Sequence, residues 1–107
     1  MSTLLTKDLK RRLPGLYETE LVPVAEKMAL AKLFHPVSNW QWYVIEYDGQ
    51  DTCFGLVVGH ETECGYFSLE ELSQTYGFGL PVERDRYFRP TQLQDLLIHN
   101  IERVVAV

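Results

Sequence analysis

The chain has 107 residues and a formal net charge of −5; 46% of its residues are hydrophobic and 23% are charged. That balance fits a single domain over residues 1–107 with a core of its own and excludes a disordered chain. No apolar run approaches the ~20 residues that span a bilayer, and the two cysteines, Cys53 and Cys64, lack Cys-x2-Cys spacing. With no apolar leader at the N-terminus, the expectation is a cytoplasmic protein with reduced thiols and no membrane association.

Charge is unevenly placed. Residues 1–13 carry Lys7, Lys10, Arg11 and Arg12 against Asp8, whereas no Lys or Arg occurs from Leu33 to Glu83. That middle stretch holds Glu46, Asp48, Asp51, Glu61, Glu63, Glu70, Glu71 and Glu83. An acidic middle disfavours a phosphate backbone, which needs cations to displace its counterions, and suits a basic protein surface. The plainer alternative is a solvated acidic face.

In chain order, Thr3 or Thr6 can cap a first helix to about Leu13, with Leu5, Leu9 and Leu13 on one stripe and Pro14-Gly15 as the stop. Leu16–Glu26 reads as a connector. Lys27–Phe34 reads as a first strand ending at His35-Pro36. Asn39–Asp48 and Cys53–His60 form a hairpin across Asp48-Gly49. With an even-length loop, alternation puts Tyr43, Ile45, Tyr47, Phe54, Leu56 and Val58 on a core face. Trp40, Trp42, Val44 and Glu46 then lie on the other face beside Cys53, Gly55, Val57 and Gly59. Cys64–Phe67 reads as a further strand. Ser68 and Glu71 make a capping box for a short helix over Leu69–Tyr76. Glu83–Phe88 reads as a strand, and Thr91 and Gln94 open a last helix with a stripe of Leu93, Leu96, Leu97, Ile101 and Val104. The order predicts an α+β fold. Its sheet is mostly antiparallel, of about four or five strands, with an N-terminal helix, a short middle helix and a C-terminal helix, the helices packed on one face.

Few residues suggest a reaction. His60, Glu61 and Cys64 lack the spacing and the further ligand of a metal site. Cys53 sits among acids that disfavour a thiolate, so both cysteines read as structural. Gly77-Phe-Gly79 lacks the third glycine and the helix start of a phosphate loop. Glu46 and Asp48 share a strand face and would be an acid–base pair only if one pKa were raised. Arg84 and Arg86 share another, and can pair with the Glu46/Asp48 end of the central strand or bind an anion. No catalytic residue, metal or cofactor is expected.

Three stretches carry a resemblance: Asn39-Trp-x-Trp-Tyr-x-x-Glu-Tyr-Asp48, Gly65-Tyr-Phe-Ser-Leu-x-Glu-Leu72 and Gly79-Leu-Pro-Val-Glu-Arg-Asp85. Together they resemble a family of small uncharacterised bacterial proteins, labelled as a domain of unknown function and carried on plasmids, conjugative elements and prophages. The resemblance runs from Leu13-Pro14 to Phe88. It implies a mobile-element context, in which small acidic proteins block host defences; it implies no catalytic set. The expected function is therefore a non-enzymatic acidic interaction protein, an inhibitor of a host nucleic-acid-binding defence complex in the manner of an anti-CRISPR. The expected partner is a protein with a basic surface, met by Trp40, Trp42, Glu46, Asp48, Glu61, Glu63, Arg84 and Arg86. The alternatives are a small metal-dependent hydrolase or nuclease using acids and His60, and a DNA-binding accessory using the basic first helix with Arg84, Arg86 and Arg89.

Overall fold

The computed structural model describes residues 4–74, 76–77 and 79–97. Helix α1 spans Lys7–Arg12; the Thr6 hydroxyl caps it by accepting the Leu9 N–H at 3.1 Å. It ends at Leu13, whose extended backbone is what a following proline imposes. After a 3-10 turn at Val24–Glu26 come β1 (Met28–Ala29), β2 (Ala31–Phe34), β3 (Gln41–Tyr47), β4 (Thr52–Val58), β5 (Thr62–Ser68) and α2 (Leu69–Ser73). The chain continues with β6 (Tyr76–Gly77), β7 (Leu80–Pro81), β8 (Glu83–Arg84), β9 (Thr91–Gln92) and α3 (Leu93–Leu97). Five strands make an antiparallel sheet in the order β5-β4-β3-β2-β8, while β1 pairs with β9 and β6 with β7. This is the expected α+β architecture, with helices at the start, middle and end.

The hairpin forms where Asp48-Gly49 predicts it. Gly49 takes a φ of +89°, open to glycine without cost, and Asp48 Oδ1 accepts the N–H groups of Gln50, Asp51 and Thr52 at 2.8, 2.8 and 3.1 Å. These three bonds hold the Asp48 carboxyl below its ordinary pKa. The facing of side chains differs from simple alternation. Val44 pairs with Gly55, but Glu46 pairs with Phe54 and Tyr47 with Cys53, so Ile45 is an extra residue in a β-bulge. Tyr43, Ile45, Phe54, Leu56 and Val58 share a face as expected. Tyr47 does not: the bulge sends it to the face of Trp42 and Val44, and brings Glu46 to the face of Phe54. Strand approach at the bulge is tight, and a Cβ built on Gly55 would lie 1.8 Å from the Tyr43 carbonyl oxygen.

Both faces of the sheet are buried. Trp42, Val44, Tyr47 and Cys53 pack with Leu4, Leu5 and Leu13 around α1, with Leu69 and Leu72 of α2, and with Val82. Tyr43, Ile45, Leu56 and Val58 pack with Ala29 and with Leu93, Leu96 and Leu97 of α3. The helices therefore divide between two faces instead of sharing one. The Lys27–Phe34 strand supplies both layers: it breaks at Leu30, whose N–H goes to the Val44 carbonyl at 2.9 Å, so Ala29 joins one core and Ala31 the other.

Local boundaries also shift. Ser68 caps α2 as predicted, accepting the Glu71 N–H at 3.1 Å, but α2 ends at Ser73. Asp51 reinforces that cap from the hairpin loop by accepting the Glu70 N–H at 2.8 Å. The predicted strand over Glu83–Phe88 is a strand only at Glu83–Arg84, because the Asp85 carboxylate and carbonyl then accept the Tyr87 and Phe88 N–H groups and turn the chain. Thr91 does not cap a helix: its hydroxyl donates to the Arg89 carbonyl at 2.6 Å, Gln94 donates to Gln92, and Leu93 N–H bonds the Lys27 carbonyl at 3.0 Å. Ile101 and Val104–Val107 lie outside the described residues.

Replacing Gly55 by Ala is expected to lower stability by about 2–3 kcal/mol, because the methyl group must displace backbone. Gly65→Ala, whose Cβ would meet nothing within 4 Å, is the control and should shift the urea midpoint little. Equal midpoints for the two variants would refute the close approach.

Candidate partner-binding face

The bulge places Glu46 in a cross-strand row with Phe54 and Tyr66. At 3% exposure its carboxylate is buried, and an ionised group there must be hydrogen-bonded. Its partners come from the connector. Oε1 accepts the Tyr17 N–H at 2.9 Å and Oε2 accepts the Thr19 N–H at 3.0 Å, with the Thr19 hydroxyl donating to the same oxygen. Lys27, also buried, donates its ammonium to the Thr19 carbonyl and to the Thr19 hydroxyl, the latter at 3.0 Å. Thr19 thus links a buried cation to a buried anion. Tyr17 takes a φ of +70°, a region that costs a non-glycine residue ~1–2 kcal/mol and that the bond to Glu46 holds in place.

These residues shape a cleft of about 270 Å³ lined by Tyr17, Glu20, Lys27, Glu46, Phe54 and Tyr66. The Tyr66 ring lies 5.1 Å from Phe54 and 6.3 Å from Tyr17, tilted by 54° in both pairs. Local desolvation, and then the neighbouring carboxylates of Glu46 and Glu20, raise the Tyr66 hydroxyl above its ordinary pKa. Beside the cleft the pinned connector displays Leu21, 97% exposed, with Val22 and Val24 also exposed among Glu18, Glu20 and Glu26. Strand β5 is an edge: among the described residues only β4 pairs with it.

The residues expected to meet a partner fall in three places. Trp42, Val57 and Glu63 make one cross-strand row near one end of the sheet. Trp42 is buried at 8% in the core layer shared with Leu4, Leu5, Leu69 and Leu72, not in the layer that α3 joins. Trp40, 36% exposed, stacks on Trp42 at 5.9 Å, meets His60 edge-on at 5.5 Å and lies over Gly59, where a Cβ would fall 2.4 Å from the ring. Glu61 and Glu63 are exposed at this corner. Glu46 and Asp48 sit toward the other end of β3, one buried under the connector, the other capping the hairpin turn. Arg84 and Arg86 are at the opposite sheet edge. The predicted pairing of these arginines with the Glu46/Asp48 end does not form: Arg84 is level with Leu33 and donates to the Leu4 carbonyl at 2.8 Å. Instead, Arg12, Arg84 and Arg86 line one groove of about 330 Å³ with Asp85, Leu9, Leu30 and Phe88.

Nothing in the site resembles an activated nucleophile. Cys53 is buried, and burial with the charges of Asp48 and Asp51 pushes its thiol up to about 12; burial raises Cys64 too, against the opposing charge of Lys27. Among the described residues no three His, Cys, Asp or Glu side chains are grouped to hold a metal ion, and no helix is long and apolar enough to cross a membrane. Tyr17, Thr19, Lys27 and Tyr66 are absent from the set that sequence pattern selects. The one signal for them is the run of large apolar residues at 17, 21, 22 and 24 inside an acidic connector.

Fold and cleft together define a small α+β protein whose buried charges hold a surface loop against an antiparallel sheet edge. The chain belongs to the family described as protein of unknown function (DUF2958), whose profile matches residues 4–101. No curated protein and no solved structure matches it.

Truncating Glu46 to Ala is expected to cost about 3 kcal/mol, since it strands the Tyr17 and Thr19 amides and the Lys27–Thr19 link. Hydrogen exchange should accelerate at Tyr17 and Thr19 well before the β3–β4 amides. Unchanged protection at both amides would show that Glu46 does not hold the loop.

Proposed function

We propose that the protein is a non-enzymatic interaction module that binds a partner protein with a basic surface. The observation that carries this reading is the connector. Two buried charged groups hydrogen-bond its backbone, and it sets Tyr17 against Tyr66 of the β5 edge and exposes Leu21, Val22 and Val24 farther along. Burying ions under a loop is expensive, and a loop so held presents large apolar side chains already ordered, which lowers the entropy cost of association. Glu18, Glu20 and Glu26 flank them on the connector, while Glu61 and Glu63 stand at the far end of the edge strand, toward Trp40. The absence of Lys and Arg from Leu33 to Glu83 leaves that edge one sign of charge, which steers a basic partner and repels acidic ones. In its finer form, the partner is a nucleic-acid-binding defence complex of the host of a mobile element. The carboxylates then occupy the basic surface that nucleic acid would take, and cytoplasmic residence follows.

Capture from cells with the wild-type chain, followed by capture with a Glu18→Lys/Glu20→Lys/Glu61→Lys/Glu63→Lys variant and with Leu21→Asp, tests this. The expected result is a specific partner that the charge-reversed chain loses and Leu21→Asp weakens at least about tenfold. Undiminished capture by both variants would exclude this face.

A second reading has its own observation. The groove between α1 and the 84–90 segment gathers Arg12, Arg84 and Arg86 around Asp85, with Arg12 also bridged to Asp8 at 3.3 Å; the excess of cations is what a DNA-binding accessory would use. Duplex DNA binding at low salt with a steep salt dependence, reduced by Arg86→Ala, would support it. No binding at low salt would remove it.

A further inference from the structure

We infer that the Tyr17–Tyr66 cleft is a receptor for an arginine side chain of the partner; this rests on the interaction reading above and assigns its anchor. Three properties of the cleft select that group. The first is shape. Tyr17, Tyr66 and Phe54 are tilted against one another around about 270 Å³, so ring faces and edges bound a space open to solvent at the exposed Tyr17 and Tyr66. Aromatic faces attract a cation within about 6 Å. The second is charge. Glu20 and Glu46 line the cleft against one cation, Lys27, whose ammonium is turned to the Thr19 carbonyl and hydroxyl. Two carboxylates against one engaged ammonium exclude phosphate and favour a positive group. The third is position. Glu46, Phe54 and Tyr66 form a row across β3, β4 and β5. A partner strand added to β5 would extend that row, placing its own side chain about 5 Å from Tyr66 on the same face.

Arginine fits this better than lysine. Its planar guanidinium stacks on a phenol ring while its N–H groups reach a carboxylate, whereas an ammonium is a compact, strongly hydrated point charge. Glu20, exposed at the rim, is the carboxylate available to such a fork. Glu46 supplies field rather than a direct bond, since its oxygens already accept from Tyr17 and Thr19.

The probe is N-acetyl-arginine methylamide, titrated into the full chain while the Tyr17 and Tyr66 ring resonances are followed by NMR. Saturable shifts of both rings are expected. The neutral isostere N-acetyl-citrulline methylamide should give none at the same concentration. Tyr66→Ala should weaken arginine binding roughly three- to tenfold while Tyr66→Phe retains it, and Glu20→Gln should weaken it about threefold. Tyr66 is exposed, so both variants leave the core intact. No saturable shift, equal saturation by citrulline, or indifference to Tyr66→Ala would each overturn the assignment. A chain that captures its basic partner through Glu18, Glu20, Glu61 and Glu63 yet fails these titrations loses the arginine anchor and keeps the interaction reading. Failure of both removes both.

Discussion

One extra residue in one strand governs the surface of this protein. Ile45 has no partner on β4, and everything C-terminal to it on β3 changes face. Without the bulge, Glu46 would point into the layer of Trp42 and Val44, and Tyr47 into the layer of Leu56. With it, Tyr47 enters the core around α1, and Glu46 enters the row of Phe54 and Tyr66. A carboxylate there has no solvent to rely on. The connector supplies two backbone amides and a hydroxyl, and Lys27 completes the arrangement through Thr19. Tyr17 can then occupy left-handed backbone that an unsupported tyrosine would leave.

Beyond the cleft, both sides of the central strand are covered. Each side of β3 presents large apolar groups, so each needs a cover. The chain provides the first from α1 and α2 and the second from the β1–β9 ribbon and α3. Exposed function is thereby left to the edges, the loops and the cleft over the Glu46–Phe54–Tyr66 row. The two sheet edges differ in charge pattern: the β5 side carries Glu61 and Glu63, whereas the β8 side alternates Glu83, Arg84, Asp85 and Arg86. The partner-binding and DNA-binding readings correspond to these two edges.

Elements whose cause is local were legible in the sequence. The Thr6 and Ser68 caps, the Asp48-Gly49 turn, the Pro14 stop and the strand pattern of residues 41–47 and 52–58 all follow from residues within a few positions of one another. What depends on long-range pairing was not legible. Alternation assigns Tyr47 and Glu46 correctly only if the register is unbroken, and no residue type near Ile45 announces a break. Gly55 is the sole trace of it, and a glycine opposite a tryptophan-rich strand reads equally well as room for an indole. Of the candidate site, Glu46 was identifiable as a carboxylate of interest but its partners were not, because Tyr17 and Thr19 lie in a segment without periodicity. The arginines were identified as a pair, while their companion proved to be Arg12 and not the hairpin acids.

The manner in which Glu46 grips the connector has a consequence for variation. It accepts backbone N–H groups from Tyr17 and Thr19, and Lys27 reaches the Thr19 carbonyl. Of these contacts, only those through the Thr19 hydroxyl depend on which side chain the connector carries. Residues 20–24, between the two anchor points, are exposed and reach into neither core. The connector is thus a cassette with fixed ends and a free middle. Its tip can be rewritten without disturbing the charges that hold it, so a chain of this design can change what it recognises while keeping how it folds.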